Sequence, residues 1–147
     1  MSNTRSFKKI SMVGYKLFRK NKKGELTSVI VSRGPFKVVY KIREKNYAPR
    51  ELATNGHYLT FFKRLTDCID WKNGMIATKN ISKKSRIQIW KVQGSYILND
   101  LPQKFVIEEL KDGNIYGSND GGWPIGTFMC RNLILLERVD LRKCLRY

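Results

Sequence analysis

Three consecutive pieces, ISMVGYKLFR (residues 10–19), KNKKG (20–24) and ELTSVIVS (25–32), decide the fold class. The outer two are rich in β-branched and aromatic residues, and the middle one is a short polar run ending in glycine. That pattern predicts two antiparallel strands joined by a hairpin loop. Four bases, Arg19, Lys20, Lys22 and Lys23, fall on or beside the tip, where a loop is free to meet a phosphate backbone.

Working outward, Arg33-Gly34-Pro35 marks a turn, and FKVVYKI (36–42) alternates Phe36, Val38, Tyr40 and Ile42 against Lys37, Val39, Lys41 and Arg43. This is the clearest strand pattern in the chain. Its outer row of Lys37, Lys41 and Arg43 is suited to tracking phosphates, and equally to protecting an edge strand against aggregation. Residues 44–59, with Pro49 and Asn55-Gly56, read as a loop. Thr60 is placed to cap a helix over FFKRLTDCIDW, whose Phe61, Leu65, Cys68 and Ile69 share a stripe, ending at Asn73-Gly74. MIATK (75–79), RIQIWKVQGSYIL (86–98), KFVIEEL (104–110) and NLILLERVDL (132–141) read as strands, the last with a helix as the alternative. A basic loop with Lys83, Lys84 and Arg86 precedes the second of them, and GSNDGGWPIG (117–126) is a turn-rich loop. The expectation is an α+β single compact domain over 10–147, a mostly antiparallel sheet with one short helix near residues 61–72, behind a flexible basic N-terminus at 1–9.

The 147 residues suit one hydrophobic core, and 41% hydrophobic content is enough to build it. No apolar run is long enough to span a bilayer, and no signal peptide is apparent, so a cytoplasmic protein is expected. Three cysteines, Cys68, Cys130 and Cys144, at intervals of 62 and 14 residues match neither a disulfide framework nor a paired-cysteine zinc site. They read as reduced thiols, with core packing favoured over chemistry.

The charge is the outlying property. Lys and Arg number 29 against 12 Asp and Glu, a formal net charge of +17. By segment the net charge is +12 for residues 1–50, +5 for 51–91 and zero for 92–147. A localised positive field of this size points to a polyanionic partner, with nucleic acid first. Eight of the eleven aromatics before residue 92 are followed directly by a base, as in Tyr15-Lys16, Phe18-Arg19 and Tyr40-Lys41. Strand alternation explains this by burying rings and exposing bases. The sharper alternative exposes some rings to stack nucleobases, with Tyr47, Tyr58 and Trp71 as the candidates. Trp123, beside Pro124 in the glycine-rich loop, is a further candidate for stacking a purine.

Enzymatic signals are at the level of chance. His57, the sole histidine, with Cys68 and Asp67 or Asp70 is one nucleophilic set; Asp100, Glu109 and Lys111 is a nuclease-like one. No catalytic residue, metal or cofactor is assigned. The binding candidates are therefore Arg19, Lys20, Lys22, Lys23, Lys37, Lys41, Arg43, Lys63, Arg64, Lys83 and Lys84, with Tyr47, Tyr58, Trp71 and Trp123 as rings.

GYKLFR (14–19) followed by GELTS (24–28), with GHYLTF (56–61) and IWKVQG (89–94) further on, resembles small uncharacterised accessory proteins of phages and large DNA viruses. That resemblance implies a protein made in an infected cell, where host takeover and evasion of host defences are common tasks. It adds two expectations beside nucleic-acid binding: sequestering a nucleotide second messenger, and binding an acidic host protein.

Overall fold

A computed structural model describes residues 7–29, 37–50, 53, 58–79, 86–98 and 124–141. The strands are β1 (Phe7–Lys20), β2 (Leu26–Ser28), β3 (Val39–Tyr40), β4 (Asn46–Tyr47), β5 (Leu59–Phe62), β6 (Ile87–Leu98) and β7 (Thr127–Arg138), and the helix α1 is Leu65–Ala77. The fold is α+β: one compact domain, a mostly antiparallel sheet and, among the described residues, one helix longer than a turn. β1 begins at Phe7, so Phe7, Lys8 and Lys9 of the expected flexible N-terminus stand in a strand; residues 1–6 lie outside the described residues.

The long strands β1, β6 and β7 lie side by side, with β6 in the middle. The free edge of β1 takes β2 at its C-terminal end and β5 near Tyr15, while the free edge of β7 takes β5, then β4. Since β5 pairs with both β1 and β7, the ring β1, β6, β7, β5 closes on itself. A closed ring has an inside and an outside, and strand alternation assigns residues to each.

Inside lie Phe18, Leu59, Phe61, Val92, Cys130, Leu133 and Leu135, all 3% exposed or less, with Tyr40 and Leu26 where β2 and β3 extend the wall. Two glycines make the ring narrow enough to close. A Cβ at Gly94 would stand 2.6 Å from the Phe61 ring and 3.0 Å from Cys130 Sγ, and one at Gly14 would strike Phe61 and the Phe62 carbonyl. Phe61 thus fills the volume that two absent side chains leave.

On the outside, Leu17, Val29, Phe62 and Ile89 form a second buried cluster with Cys68, and Leu65, Ile69, Met75 and Ile76 of α1 pack against it. The expected stripe of Leu65, Cys68 and Ile69 is therefore the face that the helix buries. The helix itself sits later than expected. Phe61 and Phe62 are strand residues, Thr60 caps nothing, and α1 begins after Arg64, which offers no side-chain cap. Nor does Asn73-Gly74 end it: MIA continues the helix to Ala77 where a strand was expected. Glycine is a statistical stop, and packing of Met75 and Ile76 overrides it here.

The hairpin at 20–25 is as expected. Asn21 organises it: Oδ1 accepts from the backbone N–H of Lys23 and Glu25, and Nδ2 donates to Glu25 Oε1. RIQIWKVQGSYIL is β6, and the strand reading of NLILLERVDL holds within β7, which ends at Arg138. FKVVYKI is shorter as a strand than its pattern suggests, because the chain turns after Tyr40. Asn46 anchors that turn, donating to the carbonyls of Lys41, Glu44 and Leu133 and accepting from the Lys41 N–H. The following residues return to the sheet as β4 within the stretch expected to be loop.

Candidate nucleic-acid interface

Register places the bases. Arg19 stands opposite Thr27 on one side and Ile87 on the other, and Thr27 stands opposite Val39. Arg19, Thr27 and Val39 therefore share the outer face, while Lys37 and the exposed Lys41 lie just beyond the two ends of the short β3. Lys37 Nζ lies 3.7 Å from Glu25 Oε1, which ties it to the base of the hairpin. Lys20, Lys22 and Lys23 are the hairpin itself, exposed. Lys20 donates its backbone N–H to the Arg86 carbonyl, which brings an additional exposed base to the same corner.

Glu25 is the acid at this corner. Its carboxyl is held below the usual carboxylate range first by the Asn21 hydrogen bond and then by Lys37 and Lys23, while partial desolvation opposes them. Two carboxylates, Glu25 and the nearby Asp140, against Arg19, the three hairpin lysines, Lys37, Lys41, Arg86 and Arg138 leave a strong net positive field. Arg19 adds a specific feature: its Nε is buried and has no hydrogen-bond partner among the described residues. A shallow groove of about 360 Å³ adjoins the corner, between Ile87, Gln88 and Ile89 of β6 and Arg138, Val139, Asp140 and Leu141.

Not every candidate belongs to this corner. Arg43 has φ of 62° at the turn after Tyr40 and donates its N–H to the Leu135 carbonyl, so it leaves the row of Lys37 and Lys41. Lys63 and Arg64 follow β5, whose contact with β1 is at Tyr15, several residues from the hairpin; Arg64 Nε lies 3.3 Å from Asp67 Oδ2. Of the three rings expected to be exposed within the described residues, only Tyr47 is, at 55%. Tyr58 is half-buried, its ring meeting Phe7 edge-on at 5.0 Å, and Trp71 packs beside Phe62 at 5.7 Å. Lys83, Lys84 and Trp123 lie outside the described residues, as do Cys144, His57, Asp100, Glu109 and Lys111.

The aromatic-base doublets follow strand alternation at Phe18-Arg19, Tyr40-Lys41, Phe62-Lys63 and Trp90-Lys91, where the ring is buried and the base less so. Tyr15-Lys16 inverts it. Lys16 is 8% exposed, and its Nζ donates to the Thr60 carbonyl at 2.6 Å and Thr60 Oγ1 at 3.3 Å, 5.8 Å from the centre of the Tyr40 ring. Burial lowers its pKa to about 8, with Cys130 and Cys68 opposing the shift. Sequence alone gives no signal for this, since an inward lysine reads like any outward one.

Cys68 and Cys130 are free, buried thiols. Burial pushes both up to about 12, against the pull of Lys16. A thiol so placed holds its proton at neutral pH and is no ready nucleophile. Among the described residues no cluster of His, Cys, Asp or Glu is placed to hold a metal ion, and no helix is long and apolar enough to cross a membrane. No protein-family model, no curated protein and no solved structure matches the chain.

Proposed function

We propose that this is a non-enzymatic nucleic-acid-binding protein that holds a phosphate backbone at the hairpin corner. The observation that carries the reading is the gathering of Arg19, Lys20, Lys22, Lys23, Lys37 and Lys41 on one corner of the sheet with Glu25 as their counter-charge. Lysines on a hairpin supply point charges without demanding a base sequence, which suits backbone positioning. Arg19 is partly exposed and brings a guanidinium, the side chain best shaped to pair with a phosphate, to the same corner. In the context that the viral resemblance suggests, the protein is an accessory factor working in the host-cell cytoplasm.

Fluorescence-anisotropy titration with labelled single-stranded RNA, single-stranded DNA and duplex DNA at about 50 and 200 mM salt tests this. Binding that survives at the higher salt with a preference among the three supports the proposal. Absence of binding at about 50 mM, or equal binding of all three at both salts, contradicts it and turns attention to nucleotide messengers and acidic host proteins.

A further inference from the structure

Two buried side-chain polar atoms lack a hydrogen-bond partner among the described residues: Arg19 Nε and Asn132 Oδ1. Native proteins rarely leave such groups unpaired, because each forfeits its water contacts without replacement. The first belongs to the basic corner. The second is explained by nothing among the described residues.

Asn132 is 4% exposed and sits on β7 between Tyr47 of β4 and Ser95 of β6, with Ser11 of β1 next in line. Directly paired residues point to the same face, so Tyr47, Asn132, Ser95 and Ser11 form one polar row across four strands. The Ser11 and Ser95 hydroxyls are hydrogen-bonded at 2.9 Å, and the Tyr47 ring is the most exposed described aromatic. Gly94 and Leu133, one residue away, point into the core, and Ser11 and Tyr47 are exposed, which puts the row on the outside; alternation breaks between the row and the inward pair Ile97 and Cys130, where Tyr96 has φ of 60°. From Ser11 to Arg19 the register with β6 is unbroken, so odd-numbered residues keep one face throughout. The polar row and the basic corner are thus two ends of the same outer face, with Tyr15 and Leu17 under α1 between them, eight residues apart or about 26 Å along β1.

We infer that the Tyr47 and Asn132 row is a nucleobase subsite for the strand whose phosphates the basic corner holds, accepting a base that carries an exocyclic amino group. This rests on the nucleic-acid reading above. The exposed Tyr47 ring, opposite Asn132 in register, supplies a stacking surface, and because Asn132 Oδ1 is buried, binding requires its neighbours in the row to move aside. Asn132 Oδ1 accepts from the amino group of adenine or cytosine. The hydroxyl pair of Ser11 and Ser95 borders the subsite with groups that either donate or accept. Uracil and thymine present carbonyl oxygens where the amino group would be, and two acceptors facing one another repel.

The test is anisotropy with nonamers of adenosine, cytidine and uridine, and of deoxyadenosine and thymidine, against the full chain and the variants Tyr47→Ser and Asn132→Leu. The wild-type protein is expected to bind the adenine and cytosine oligomers roughly 5-fold or more tightly than the uracil and thymine ones. Asn132→Leu removes that preference, leaves the salt dependence of binding unchanged and keeps or raises the melting temperature, since an unpaired buried acceptor is gone. Tyr47→Ser, at an exposed ring, weakens binding of all five by roughly 5-fold or more without unfolding the domain. Equal wild-type binding of all five oligomers, or a preference that survives Asn132→Leu, overturns the subsite and leaves the basic corner standing. Failure of the wild-type protein to bind any of them overturns both.

Discussion

Lys16 shows what a single residue contributes. Its ammonium group is taken out of water inside the strand ring and compensated by Thr60 and the face of Tyr40. The folded pKa near 8 lies below the unfolded value of 10.5. Between those values the unfolded chain keeps a proton that the native protein has released, so this group makes stability rise with pH across the window from 8 to 10.5. The gain is about 3 kcal/mol in all. We expect Lys16→Met to be more stable than the wild type at pH 7 by about 1–3 kcal/mol, and that advantage to disappear by about pH 10.5. Denaturant melts of both proteins at four or five pH values measure it; a difference independent of pH contradicts a buried, titrating lysine. Gly94 is the second residue of this kind. Replacing it with Ala sets a methyl group against Phe61 and Cys130 Sγ, and should cost about 1–3 kcal/mol, read from the urea midpoint.

At the scale of elements, α1 yields the cleanest test. Gly74 lies inside the helix on its exposed side, and a Cβ there meets nothing within 4 Å. Gly74→Ala should therefore stabilise the domain by about 0.5–1 kcal/mol, a rise in melting temperature that calorimetry resolves. An unchanged or lower melting temperature would mean that the helix does not continue past Gly74. The same element marks where sequence reasoning succeeds and where it stops. Leu65, Cys68 and Ile69 are legible as a buried stripe because helical periodicity depends only on the residues themselves. The start of the helix is not, since Phe61 and Phe62 serve two opposite faces of a strand and only the closure of the ring requires both. FKVVYKI is likewise cut short by Asn46, a side chain acting across the turn, which no local propensity reports. The hairpin at 20–25 is legible in full because its determinants, Asn21 and Gly24 between two apolar runs, lie within a few residues of one another.

For the whole molecule, what matters is where the charge goes. The sequence places it in the first 91 residues; the β1–β2 hairpin, the Lys37–Glu25 ion pair and the position of Lys41 next to Tyr40 bring six of the expected bases to one corner, while Arg43, Lys63 and Arg64 lie elsewhere. Long-range pairing decides that partition, so it is invisible in segment counts. Six phosphate contacts imply a slope of about −4 in log affinity against log salt for a single strand, a loss of about 300-fold between 50 and 200 mM. Lys37→Ala and Lys41→Ala should each weaken binding of every oligomer evenly and reduce that slope by about one, which a salt titration reads directly.

The most direct measurement compares two triple variants that lose the same charge. One replaces Lys20, Lys22 and Lys23 at the hairpin with Ala; the other replaces Arg43, Lys63 and Arg64, the exposed bases that lie away from it. Salt titrations of single-stranded RNA binding by anisotropy should show the slope falling by about two in the hairpin variant and unchanged in the other. Equal losses in the two variants would mean that the protein carries a diffuse positive field and no phosphate-binding corner.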